Sequence, residues 1–219
     1  MTRAVFFDRD GTLGGRGGYC HPDEFEFFEF APQAVKLVRD AGFLTVVVTN
    51  QSCIAHGTIT LEQVLCSFER LRKQLELLDT QFDAWYVCPH DKADACECKK
   101  TSTGVFLRAA RDYAIDLRQS FVVGDYGFND IEARERIGAR TVLVRTGERV
   151  ASLEDHRPSR ATWNLATSPR TCSRQRIGLS HSDTRAAAVQ TLRLRQSWFC
   201  SKGRGAPFCG QSLPNAVAG

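Results

Sequence analysis

No apolar run in this chain of 219 residues approaches the ~18 residues that a membrane-spanning helix needs. The opening segment, Met1-Thr2-Arg3-Ala4-Val5-Phe6-Phe7-Asp8, lacks a signal-peptide layout, because its short apolar stretch runs straight into acidic residues. A secreted or membrane-bound protein is therefore not expected, and a cytoplasmic one is. A strong charge of one sign is also missing. The net charge is only +4, and it hides a split: residues 1–150 carry −3 and residues 151–219 carry +7. The overall balance is thus no ground for nucleic-acid binding, and none is expected. There is no internal repeat. The composition, 42% hydrophobic and 25% charged, is that of a chain able to bury a core.

Cysteine is not scarce. Nine occur, an odd number without a secretory signal, so a disulfide framework is not the first reading. Cys88, His90, Cys96 and Cys98 fall within eleven residues. Three thiolates and one imidazole make a closed tetrahedral Zn²⁺ site, with the Cys-x-His and Cys-x-Cys pairs each chelating from one side of a loop. With no open coordination position, such a zinc is structural and braces the loop that carries Lys99 and Lys100.

Apolar runs and helical periodicity alternate along residues 1–150. Residues 3–8, 43–48, 84–88, 120–124 and 141–144 read as buried strands. Pro32 suits the first turn of a helix that Gly42 stops. Thr60-Leu61-Glu62-Gln63 matches a capping box, and behind it Val64, Phe68, Leu71, Leu75 and Leu78 share one helix face. Further helices are expected from about Gly104 to Ala114 and up to Gly138. Apolar strands of this kind need cover on both faces, so the fold is α/β with a mostly parallel sheet in three layers. Beyond about residue 151 the pattern fails, and 151–219 reads as a basic, weakly structured tail. Residues 1–150 are the expected catalytic domain.

Ligands of such sheets sit beyond the carboxyl ends of the strands. Four constellations fall there. Asp8-Arg9-Asp10-Gly11-Thr12 offers two carboxylates that can divide labour as nucleophile and general acid/base. Thr49-Asn50-Gln51-Ser52 offers hydroxyl, amide and N–H groups to phosphate oxygens. Lys99-Lys100 supplies positive charge. Gly124-Asp125 supplies a carboxylate for Mg²⁺, with Asp130 placed to orient it. Taken singly each is weak, since Asx turns and solvated lysine pairs look alike. Together they appear in order on one rim.

That order, acid–hydroxyl–lysine–acid, resembles the haloacid dehalogenase superfamily of phosphohydrolases, and Asp10 favours its phosphatase members. The Cys-x-His…Cys-x-Cys loop before the lysines is similar to that of the D,D-heptose 1,7-bisphosphate phosphatases and the related histidinol-phosphate phosphatases. Gly18-Tyr19, Phe25-Glu26-Phe27, the stretch Thr49 to Gly57, and Val144-Arg145-Thr146-Gly147 favour the heptose branch. The resemblance implies a Rossmann-like sandwich without a large cap domain, acting as a monomer on a small sugar bisphosphate. It implies Mg²⁺ held by Asp8, the Asp10 carbonyl and Asp125, attack by Asp8, and proton transfer by Asp10. Thr49, Asn50 and Lys100 would neutralise the phosphoryl oxygens. Tyr19, Gln51, Ser52 and Lys99 would hold the rest of the substrate. Histidinol phosphate is the alternative substrate, and a non-catalytic polyanion binder using the basic tail is the alternative class. The chain departs from the family at Cys53 (usually Gly), His56 (usually Arg), Lys99 (usually Arg) and the Thr101–Thr103 turn.

Overall fold

The computed structural model describes residues 1–15, 20–125, 136–144 and 146–147, and the backbone alone of 162–165 and 216–218. Seven parallel strands form one sheet: β1 (Ala4–Phe7), β2 (Leu44–Asn50), β3 (Ala84–Cys88), β4 (Phe121–Gly124), β5 (Arg140–Val144), β6 (Thr162–Leu165) and β7 (Ala216–Ala218). Their spatial order is β6-β5-β4-β1-β2-β3-β7. Helix α1 (Ala31–Asp40) joins β1 to β2, α2 (Leu61–Glu76) joins β2 to β3, and α3 (Gly104–Tyr113) joins β3 to β4.

Local sequence explains where the helices start and stop. Pro32 stands in the first turn of α1, and Gly42 leaves it at φ +81°, a left-handed conformation that glycine adopts at little cost. Thr60 and Gln63 make both bonds of the expected capping box. Gly138, at φ +74°, ends the short helical turn at Arg136–Ile137. The rest of that expected helix lies outside the described residues.

Alternation along the strands divides the core in two. Val5, Phe7, Val47 and Trp85 face α1 and α2, meeting Val35, Val64, Phe68, Leu71 and Leu75. Ala4, Phe6, Val46, Val48 and Tyr86 face the other way, meeting Val105, Phe106 and Ala109 of α3. On the first side Phe68 stacks on Trp85, with ring centroids 4.0 Å apart. On the second Phe6 meets Phe106 edge-on at 5.2 Å. This is the Rossmann-like three-layer sandwich expected, and among the described residues no helix is long and apolar enough to cross a membrane.

Topology then places the site. Chain order runs outward from β1 through β2 to β3, and α3 carries it back to β4 on the other side of β1. The strand order therefore reverses between β1 and β4, where such sheets open a crevice at their carboxyl ends. Strand β2 runs two residues further than expected: Thr49 and Asn50 pair with Val87 and Cys88. Of residues 151–219, two short segments pair as strands at the sheet edges, β6 beside β5 and β7 beside β3. Edge strands of three or four residues need only backbone partners, so weak apolar periodicity did not announce them. The remainder of that region lies outside the described residues.

Candidate active site

Asp8 follows the last residue of β1, and its N–H donates to the Val123 carbonyl of β4 at 2.9 Å. That bond anchors Asp8 at the point where the strand order reverses. Gly11, at φ +81°, lets the chain turn at once, with its N–H on the Gly14 carbonyl at 2.7 Å. Thr146 donates its hydroxyl to the Gly11 carbonyl and ties this turn to the segment after β5.

Lys100 reaches Asp8 from the loop after β3. Its Nζ lies 2.6 Å from Asp8 Oδ1, with the two side chains 4% and 13% exposed. The same oxygen accepts the Arg9 N–H at 2.8 Å. Asn50 sets the lysine's backbone: its Nδ2 donates to the Lys100 carbonyl at 2.9 Å, and its Oδ1 accepts the Lys100 N–H at 3.0 Å. Asn50 was expected to face the phosphate. Its amide engages the Lys100 backbone, because the end of β2 lies beside the loop that follows β3.

Gln51, expected among the substrate contacts, is 1% exposed. Its Nε2 donates to Asp10 Oδ2 at 2.8 Å and to Thr49 Oγ1 at 2.9 Å. Asp10 Oδ1 accepts from Arg9 Nη1 at 2.9 Å. Burial pushes the Asp10 carboxyl up to about 6, with the Asp8 charge adding to it and Arg9 and Gln51 pulling it back. A carboxyl near 6 both gives and takes a proton around neutral pH.

Asp125 follows β4 and is buried. Gly147 lies against it so closely that a Cβ there would stand 2.0 Å from Asp125 Oδ2. Any side chain at 147 would have to displace the Asp125 carboxylate. Tyr19 and Asp130, expected in the substrate and metal shells, lie outside the described residues.

Lys99 turns away from its neighbour. Its Nζ donates to the Ser52 hydroxyl and, at 3.0 Å, to the His90 carbonyl. Gln51 N–H donates to the Cys88 carbonyl at 2.8 Å, Ala55 N–H to the Pro89 carbonyl at 3.1 Å, and His56 Nε2 pairs with Asp91 at 3.3 Å. The loop after β2 and the Cys/His loop after β3 are thus stapled into one wall. Burial and the Asp10 charge push the Cys53 thiol up in the same loop, which keeps it protonated.

The four expected metal ligands converge. One ligand atom from each of Cys88, His90, Cys96 and Cys98 lies within 4.8 Å of the other three. Cys88 Sγ is 3.6 Å from Cys96 Sγ, Cys96 Sγ is 3.5 Å from Cys98 Sγ, and His90 Nδ1 is 3.2 Å from Cys98 Sγ. A tetrahedron with Zn–S of ≈ 2.3 Å has S···S edges of about 3.8 Å, so the cluster has the right size.

Two residues escaped the sequence reading. Gly147 carried no signal that it would touch Asp125. Arg9 did: it stands between two acids, yet it is fully buried.

Comparison with known proteins agrees with this geometry. The HAD-hydrolase-like family model matches residues 97–168. The D-glycero-beta-D-manno-heptose-1,7-bisphosphate 7-phosphatase of Haemophilus ducreyi is 40% identical over 163 residues, covering 68% of this chain and 87% of that protein. The enzyme of the same name from Escherichia coli K12 is 36% identical over 182 residues, covering 78% and 94%. A solved structure of D,D-heptose 1,7-bisphosphate phosphatase from B. bronchiseptica, complexed with magnesium and phosphate, superposes with a TM-score of 0.70. It is 27% identical and covers 75% of this chain and 92% of that one. An acid pair after β1, a lysine on the first acid and an acid after β4, on a fold these relatives share, make the chain a phosphatase of the haloacid dehalogenase type, belonging to the D-glycero-β-D-manno-heptose-1,7-bisphosphate 7-phosphatase family.

Proposed function

We propose that this phosphatase removes the 7-phosphate of D-glycero-D-manno-heptose 1,7-bisphosphate through an aspartyl-phosphate on Asp8. The relatives' names make the β anomer the first substrate to try. The observation that carries the reading is the division between the two acids. Asp8 is held by Lys100 at 2.6 Å, whereas Asp10 is clamped through both oxygens and has a carboxyl near 6.

Asp8 attacks phosphorus in line with the departing sugar oxygen. Asp10 gives that oxygen a proton as the P–O bond breaks. Asp10 then takes a proton from a water whose oxygen attacks the aspartyl-phosphate, releasing phosphate and restoring Asp8. The Lys100 ammonium, 2.6 Å from Asp8, would meet the charge that develops on the phosphoryl oxygens, and Asn50 holds the lysine's backbone. Thr49, whose hydroxyl accepts from Gln51, would add its oxygen to that end of the site.

The donor set fits magnesium. Asp8, the Asp10 carbonyl and Asp125 are hard oxygen ligands gathered at adjacent strand ends, and Gly147 leaves the Asp125 carboxylate the room a Cβ would fill. Bound there, magnesium supplies positive charge to the transferring phosphoryl group. Asp130 would orient Asp125 or its waters. The Cys88–His90–Cys96–Cys98 cluster fits structural zinc. Burial pushes the Cys88 thiol up, so a cation is what favours its thiolate. Zinc there would steady the wall that presents Lys99 and Ser52, which, with Tyr19, would receive the sugar and its second phosphate. The catalytic unit is residues 1–150.

The test is phosphate release from the heptose bisphosphate against histidinol phosphate, with Asp8→Asn as control. Preference for the heptose bisphosphate, abolished in Asp8→Asn, supports the proposal. Equal or greater turnover of histidinol phosphate overturns the substrate, and near wild-type turnover by Asp8→Asn overturns the mechanism.

A further inference from the structure

Beside the two acids lies a buried charged group that the mechanism above does not use. Arg9 is 0% exposed, so its guanidinium cannot touch substrate. Its charge must be balanced inside the protein. Among the described residues it makes one ion pair, Nη1 to Asp10 Oδ1 at 2.9 Å, and its Nε and Nη2 donate to none of them. Its position is held from two further sides. The guanidinium carbon sits 4.0 Å from the centroid of the buried Phe25 ring. The Arg9 carbonyl accepts Leu13 N–H at 3.0 Å and Gly14 N–H at 3.3 Å. Gly14 in turn lies so close to the Glu26 carbonyl that a Cβ would stand 2.0 Å from it. Turn, ring and guanidinium are therefore one packed unit.

Asp10 gains a fixed plane from this. Its two oxygens are taken by different donors on different elements, Oδ1 by Arg9 and Oδ2 by Gln51 Nε2 at 2.8 Å. With Gln51 alone the carboxyl can rotate about that single contact. With both, its remaining lone pairs keep one direction. A proton donor must be aimed at the leaving oxygen within hydrogen-bond reach to work, and misplacement by about 1 Å costs on the order of 10²-fold.

We infer that Arg9 is a positioning residue for this reaction: stacked on Phe25, it aims the Asp10 carboxyl at the departing oxygen. The inference rests on the acid role given to Asp10 above. It acts on leaving-group protonation and not on binding, which separates it from a merely structural role. A sugar alkoxide needs the proton as it departs, whereas p-nitrophenolate does not.

The experiment compares first-turnover release of the alcohol from heptose 1,7-bisphosphate and from p-nitrophenyl phosphate, for the wild type, Arg9→Met, Arg9→Lys and Asp10→Asn. Arg9→Met is expected to slow the sugar substrate about tenfold or more and the aryl substrate less than about threefold, with KM for each within about threefold. Arg9→Lys, which keeps the charge but not the planar fork, is expected to fall between wild type and Arg9→Met. If Arg9→Met does not fold, the sugar-to-aryl ratio of Arg9→Lys must still drop at least about threefold. Equal losses on both substrates, or a loss confined to KM, overturn the inference while a selective loss in Asp10→Asn leaves the acid role standing. Equal losses in Asp10→Asn overturn both.

Discussion

Lys100 and Asp8 form a largely buried ion pair beside that of Arg9 and Asp10, and it makes a sharp thermodynamic prediction. At 2.6 Å and an effective dielectric constant of ≈ 20, the attraction is about 6 kcal/mol. Desolvation of the two ions takes back several kcal/mol. Removing the lysine alone leaves Asp8 without its nearest cation, a loss of about 3 kcal/mol. Lys100→Met is therefore expected to destabilise the metal-free protein by about that amount. In an Asp8→Asn background, where the charge it balances has gone, the same substitution is expected to cost about 1 kcal/mol or less. Asp8→Asn by itself takes a partner from Lys100 but relieves repulsion with Asp10, so without metal it should cost less than Lys100→Met. The assay is urea unfolding of the four proteins of this cycle in chelator. A coupling of about 2 kcal/mol supports the reasoning. Equal costs for Lys100→Met in both backgrounds, within about 0.5 kcal/mol, refute it.

Gly147→Ala must push the Asp125 carboxylate away. It is expected to raise the magnesium concentration needed for half-maximal activity about 10- to 100-fold, with kcat partly recovered at high magnesium in a metal titration. Because the folded protein holds the Asp10 proton more tightly than the unfolded chain, with a carboxyl near 6 against 3.8, stability falls as pH rises from about 4 through 6. The penalty of about 3 kcal/mol is complete above that window in the absence of metal. Urea midpoints across that range should therefore drop in wild type relative to Asp10→Asn, and parallel curves would contradict it. Metal analysis is expected to find zinc in the wild type and none in Cys96→Ser, which should also have a lower Tm. The substitution should raise KM for the sugar bisphosphate more than it lowers kcat, because Lys99 hangs from the His90 carbonyl of the same loop.

Motifs that depend on near neighbours were legible, and those that depend on what lies across a strand end were not. The Thr60 capping box and the Cys/His cluster are complete within a few residues, so spacing sufficed to read both. Asp8 and Asp125 were legible through the rule that ligands gather at the carboxyl ends of parallel strands. Asn50 and Gln51 were found as a motif, but their partners within the fold were not foreseen. They are consecutive, and successive residues at a strand end face opposite ways. Asn50 meets the Lys100 backbone and Gln51 meets Asp10, a distinction that turns on which chain segment lies on each side. The edge strands β6 and β7 were missed because backbone pairing asks little of their side chains.

By itself the sequence determined the kinds of chemistry present: two acids after one apolar run, an acid after another, adjacent lysines, and a chelating set of soft ligands. These are properties of residues and short spacings, which no folding is needed to define. Tertiary structure alone decided that Asn50 grips the Lys100 backbone, that Gly147 abuts Asp125, and that Arg9 points inward to grip Asp10. The physical reason is that a salt bridge or a clash depends on distances of a few ångströms. Between residues far apart in the chain, those distances are set by strand order and by the packing of the layers around it.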